Sequence, residues 1–182
     1  MKLIPDRIRN IVEQYVVHKG NFENFLRSRG VKIGENCQLL NRIENYGTEP
    51  WLIEIGNKVT VTYGVFFINH DGSSRLFRKN LSKSSIYGNK FGAIRILDNC
   101  FIGINSIILP GVTIGPNSIV GAGSVVHKDI KPNMVVAGVP AKEISNLDDF
   151  IVKYTQKMIP ISATNRKELR KELTFYFWGE ER

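Results

Sequence analysis

The sequence predicts a mainly β domain, a parallel solenoid with helices at its ends, and three observations carry that prediction. Between Ile96 and Lys131 the chain repeats every six residues, as ILDNCF, IGINSI, ILPGVT, IGPNSI, VGAGSV and VHKDIK. The first place of each unit is aliphatic (Ile96, Ile102, Ile108, Ile114, Val120, Val126), and the fifth is small or β-branched (Cys100, Ser106, Val112, Ser118, Ser124, Ile130). Apolar residues at helical spacing appear only outside the repeating part. A helix repeats at about 3.6 residues and a strand at about 2, so a sustained period of six fits a coil whose units are each a short strand plus a corner. The intervening Gly and Asn residues suit corners that need unusual backbone angles.

Residues 1–30 read as a helical cap. Ile8, Ile11, Val12 and Tyr15 share one helical face, and a second short helix, about Phe22 to Arg29, stops at Gly30. A parallel coil needs its open end covered, because unpaired strand edges invite association. The repeating domain spans 31–145. Its first clean unit is Ile33-Gly34-Glu35-Asn36-Cys37, followed by a looser one over Leu39 to Glu44. NYGTEP, from Asn45 to Pro50, breaks the period and bulges out. Regularity returns at IGNKVT from Ile55 and VTYGVF from Val61, stops after Asp71, and resumes near Phe91. The insertion 72–90 is too long for a corner, and long loops inside compact domains are commonly functional. Beyond Ile144 the chain leaves the coil: residues 146–182 form a helical extension. Ser145 or Asn146 caps a helix bearing Leu147, Phe150, Ile151 and Tyr154, Pro160 interrupts, and Leu169, Leu173 and Phe177 share a face of a last basic, aromatic helix.

The stretch GVTIGPNSIVGAGSVVHKDIKPNMVVAGVPAKEI, Gly111 to Ile144, resembles the closing signature of the CoA-dependent acetyltransferases of the hexapeptide-transferase family, and the resemblance covers about 31–145. It implies a left-handed parallel β-helix of triangular section, a homotrimer with active sites between neighbouring solenoids, acetyl-CoA as acyl donor, and direct transfer without a covalent enzyme intermediate.

Within that frame His70 is the candidate general base. It lies in FINHDG, at the last regular unit before the insertion, where the resembling transferases carry their catalytic histidine. Acyl transfer requires a proton to leave the nucleophile as it attacks the thioester, and an imidazole titrating near neutrality accepts it. Asp71 either polarises His70 or holds the loop turn with Gly72. Neighbours on a strand point to opposite faces, which favours the turn. Asn69 is a candidate acceptor contact, as are Arg75 and Arg78 at the start of an insertion whose charges are all basic. The family's donor contacts, carried onto this chain, fall on Gly121, Ala122, Gly123 and Ser124, then His127 and Lys128, with Lys142 near the nucleotide end. His127 departs from the threonine common at its position.

Composition narrows the rest. The formal charge is +8, from 25 basic and 17 acidic side chains, which favours anionic partners: CoA phosphates, an acidic sugar, a nucleotide sugar or a lipid surface. The basic, aromatic segment 166–178 allows peripheral membrane contact. Nucleic acid lacks a recognition motif here, and no glycine-rich turn has the Lys-Ser or Lys-Thr of a phosphate loop. No metal is expected: the chain has three histidines, and His18 stands outside the coil, so the three-histidine zinc site of another hexapeptide branch is not available. Cys37 and Cys100 occupy inward places and read as core, which suits a reducing cytoplasm. Charges at Asp6, Arg7 and Arg9 argue against a signal peptide. The reading is a cytoplasmic trimeric acetyltransferase that acetylates a sugar hydroxyl in bacterial surface polysaccharide synthesis. Its rivals are an amino-sugar N-acetyltransferase, a xenobiotic acetyltransferase, and a non-catalytic β-helical scaffold.

Overall fold

The computed structural model describes residues 22–78 and 90–179. The expected first helix, with His18, and the middle of the insertion lie outside them. The elements run α1 (Phe22–Ser28), β1 (Lys32–Ile33), β2 (Gln38–Leu39), two 3₁₀ turns (Ile43–Tyr46 and Pro50–Leu52), β3 (Ile53–Ile55), β4 (Thr60–Val61), β5 (Phe66–Phe67), β6 (His70–Asp71), α2 (Arg75–Arg78) and β7 (Lys90–Phe91). They continue β8 (Ile94–Ile96), β9 (Phe101–Ile102), β10 (Ile107–Ile108), β11 (Thr113–Ile114), β12 (Ile119–Val120), β13 (Val125–Val126), β14 (Met134–Ala137), β15 (Lys142–Asn146), α3 (Leu147–Thr155) and α4 (Arg166–Trp178).

From β8 onward the chain visits three sheets in rotation. The first sheet has the order β1-β3-β8-β11, the second β15-β14-β12-β9-β4-β2, and the third β13-β10-β5. Pairing is parallel, and Arg95 opposite Thr113, Phe101 opposite Ile119 and Ile107 opposite Val125 give one offset of 18 residues, three hexapeptide units per coil. The inward places follow the repeat: Ile102, Ile108, Ile114, Val120 and Val126 are fully buried and Ile96 almost so. The fifth places fill the remaining space. Ser106, Ser118 and Ser124 are buried too, and each hydroxyl donates to a main-chain carbonyl, as interior polar groups must. Burial raises the thiol of Cys37 and pushes that of Cys100 up to about 11, so both thiols stay protonated, Cys100 within the core and Cys37 half-buried against it.

Two departures from the 18-residue offset position the site. Lys32 pairs with Glu54, 22 residues on, and Glu54 pairs with Arg95, 41 residues on. The first coil therefore carries extra chain, folded as the two 3₁₀ turns where a third-sheet strand would lie. The second carries the insertion, which leaves after β5 and returns as β7. Both irregularities open at the same corner, one coil apart. The Tyr46 ring, fully buried, packs on Phe67 with centroids 5.2 Å apart and binds the two together.

The chain divides into two units, Met1–Asp148 and Asp149–Arg182. In the first, Leu26 of α1 is fully buried in the core, and β14 and β15 end the second sheet as an antiparallel pair. In the second, Asn165 caps α4 by accepting from the amides of Lys167 and Glu168, both at 3.0 Å. Gly179 ends that helix in the left-handed region, at φ 66. No helix among the described residues is long and apolar enough to cross a membrane.

Candidate active site

His70 enters its position through β6, which pairs antiparallel with β7 so that His70 lies opposite Phe91. Their rings sit 5.6 Å apart. About a third of the imidazole is exposed, enough to meet a substrate while its orientation is held. Nδ1 stands 2.7 Å from Oε2 of Glu49, and Thr48 donates its hydroxyl to the same carboxylate oxygen at 2.8 Å. Burial opposes ionisation of Glu49, but hydrogen bonds from Thr48 and His70 and the positive field of His70 outweigh it. The carboxyl is held below its ordinary value. A carboxylate on Nδ1 fixes that nitrogen as the N–H donor and leaves the Nε2 lone pair to accept a proton.

Asn69 builds the support beneath this pair. Its side chain is buried, and Nδ2 donates to the carbonyls of Glu49 at 2.8 Å and Tyr46 at 3.3 Å. Gly47 lies between those carbonyls with φ 69 and ψ −170, a region open essentially to glycine alone. A Cβ there would meet the Asn69 amide at 2.7 Å. The bulge is thus clamped onto the residue next to His70.

The carboxylate of Asp71 accepts the amide of Ser73 at 2.8 Å, and that backbone hydrogen bond holds its pKa low. Asp71 turns to Ser73, and the carboxylate on His70 belongs to Glu49. Asn69 faces inward under the bulge rather than outward to an acceptor. Arg75 opens α2 with its side chain exposed, and Arg78 ends that helix. Exposed His127 and Lys128 follow β13. By strand register they stack on the His70 corner two coils from Ile68 and Asn69, about 10 Å away at the usual strand spacing. Gly121 to Ser124 occupy a different corner, between the second and third sheets. Ser124 is committed internally to Gly121 and Gly138, and a Cβ on Gly121 would strike Ala137. Lys142 is exposed on β15. One chain therefore does not gather all the expected residues at a single point. Glu49 is the residue that sequence reading missed. Its signal was the bulge itself, an interruption at a point where the repeat has no need of one.

The model of the bacterial transferase hexapeptide (six repeats) matches residues 93–128. Protein CapG of Staphylococcus aureus is 46% identical over 143 residues, spanning 75% of this chain and 81% of that protein. The chain belongs to the hexapeptide-repeat transferase family. The galactoside O-acetyltransferase of Escherichia coli is 55% identical over 56 residues, which is 31% of this chain and 28% of that enzyme. Among solved structures, a hexapeptide-repeat containing acetyltransferase of Vibrio cholerae superposes with a TM-score of 0.50 at 27% identity, covering 65% of this chain and 63% of that one.

Proposed function

We propose that this hexapeptide-repeat transferase moves an acetyl group from acetyl-CoA to a hydroxyl of a sugar or glycan, in the synthesis of a bacterial surface polysaccharide. The observation that carries the reading is the His70–Glu49 pair, 2.7 Å apart, at the mouth of the long insertion in the repeat. Nε2 of His70 takes the acceptor's hydroxyl proton as the oxygen attacks the thioester carbonyl. Glu49 stabilises the imidazolium that forms and keeps the ring in place. The tetrahedral oxyanion then collapses, expelling the CoA thiolate, and the imidazolium returns its proton to sulfur. Acetyl ester and free CoA leave, and the histidine is regenerated. The coil winds as a left-handed β-helix and three chains assemble with sites between them. Gly121–Ser124, His127 and Lys128 lie along the pantetheine arm, and Lys142 meets the nucleotide end of CoA.

A sugar acceptor is favoured by the galactoside O-acetyltransferase relative. An amine acceptor, on an amino sugar or a xenobiotic, would use the same base. The experiment is release of free thiol from acetyl-CoA with panels of neutral, acidic and amino sugars. Acetyl esters identified by mass and lost on mild alkali support O-transfer, whereas alkali-stable amides would move the reading to N-transfer. No thiol release with any acceptor would leave a scaffold. Peripheral membrane contact through α4 has a specific observation behind it, because Phe175, Tyr176 and Phe177 are all more than half exposed. Co-sedimentation with anionic vesicles tests it.

A further inference from the structure

Beside the catalytic pair the surface carries an aromatic side chain that the coil does not need. Trp51 is 59% exposed although it follows the bulge that brings Glu49 to His70. Its base is fixed rather than loose: a Cβ on Gly30, which has φ +92, would lie 2.8 Å from the Trp51 Cβ. The indole lines a shallow groove of about 90 Å³, together with Leu52, Ala93, Lys32, Glu54 and Arg95. The last three are one row of the first sheet, Lys32 opposite Glu54 and Glu54 opposite Arg95. Arg95 and Glu54 pair at 3.6 Å while each stays about half exposed.

The groove is continuous in sequence with the site on both sides. Trp51 is two residues from Glu49, and Ala93 is two residues from Phe91, the strand partner of His70. Two residues span at most about 7 Å, and paired strands lie about 5 Å apart, so Ala93 is within about 12 Å of His70, backbone to backbone. The groove is much smaller than the roughly 300–1,000 Å³ of a pocket that engulfs a ligand. It is suited to hold one face of one ring.

Resting on the acetyl-transfer reading, we infer that this groove is an acceptor subsite, in which a pyranose ring of the glycan stacks its C–H face on Trp51 while Lys32 and Arg95 donate to, and Glu54 accepts from, its rim hydroxyls. The chemistry distinguishes a sugar from the other flat ligand at hand. A pyranose offers an apolar face that an exposed indole desolvates and a rim that both donates and accepts. The phosphates of CoA are acceptors only and offer Glu54, in the middle of the row, no hydroxyl donor. The two cations on either side of Glu54 extend the fit to uronic acids and other anionic sugars.

The chain has two tryptophans, so a Trp178→Phe background makes Trp51 the single indole reporter. Methyl β-glucuronide, methyl β-galactoside and acetyl-CoA are titrated separately, following indole emission, and thiol release is measured on the same glycosides with Trp51→Ala and Trp51→Phe. The expected result is a saturable emission change with a glycoside. Trp51→Ala should raise KM for the sugar at least tenfold with kcat and the acetyl-CoA KM within threefold, and Trp51→Phe should recover most of the loss. Sugar turnover with KM unmoved by Trp51→Ala overturns the subsite and leaves His70 and Glu49 in their roles. Saturable emission with a glycoside that is never acetylated retains the groove and removes the sugar-transfer reading. Emission that answers only acetyl-CoA, or none of the three, overturns the inference.

Discussion

His70 can act as a directed base because one of its nitrogens is already occupied. Replacing it by Ala is expected to lower kcat by roughly 10²–10⁴ with little change in acetyl-CoA affinity, measured by steady-state thiol release. A near-normal kcat would remove His70 from the mechanism. Glu49→Gln keeps an acceptor atom near Nδ1 but removes the charge that stabilises the imidazolium. kcat should fall about 10–100-fold, less than for loss of the base itself. The same residue makes a pH prediction. Hydrogen bonds from Thr48 and His70 depress the folded pKa of Glu49 below its unfolded value. The stability it contributes is therefore complete above an ordinary glutamate pKa of about 4.3 and is lost as pH falls through the depressed folded value. Melting temperature plotted against pH should drop less steeply below about pH 4.3 in Glu49→Gln than in the parent. Parallel curves would mean the carboxylate is not held as described.

At the scale of elements, the site depends on a bulge clamped to the next coil. Gly47→Ala places a Cβ against the Asn69 amide in a backbone region that costs on the order of 1–3 kcal/mol for other residues. The expected outcome is a folded protein with a lowered melting temperature and a kcat reduced alongside Glu49→Gln, because the carboxylate moves off Nδ1. Full activity in Gly47→Ala would separate the bulge from catalysis. The corners obey similar rules. Asn99, Asn117 and Asn133 all have positive φ and form a ladder, Asn99 donating to Asn117 at 2.8 Å and Asn117 to Asn133 at 3.1 Å. Asn117→Asp removes the donor to Asn133. It should cost about 1 kcal/mol, read by denaturant midpoint. Ile114→Asp buries an unpaired carboxylate in a fully buried place and should abolish folding.

The whole molecule adds a field to this local chemistry. With a charge of +8 and an insertion whose charged residues are all basic, the chain favours anionic partners, over a range set by salt. Changing Arg75, Arg78 and Lys79 together to Gln should raise KM for the acceptor, the donor or both, and flatten the dependence of kcat/KM on ionic strength. Light scattering should give the same mass as the parent, three times the 20.6 kDa chain for the proposed trimer, since these side chains belong to the insertion and not to the coil. Unchanged kinetics at low salt would make the insertion ordinary solvated surface.

Much of this was written in the repeat. Six residues per unit determined which side chains enter the core, where the corners turn and that His70 stands where the regular coil stops, and Gly30 by itself marked the end of the short helix. Those features are periodic or nearest-neighbour, and short-range sterics and burial decide them. The partner of His70 was a different matter. Asp71 was adjacent in sequence and Glu49 was 21 residues away, yet Asp71 turns to the Ser73 amide while Glu49 reaches Nδ1. The period reveals that two stretches leave the coil but not that they leave at one corner in successive turns. That depends on parallel pairing, which stacks Glu54 on Lys32 and Arg95 on Glu54 despite unequal lengths of intervening chain. The tertiary stack alone turned two interruptions into a histidine–carboxylate pair, because only strand register converts separation along the chain into contact across it.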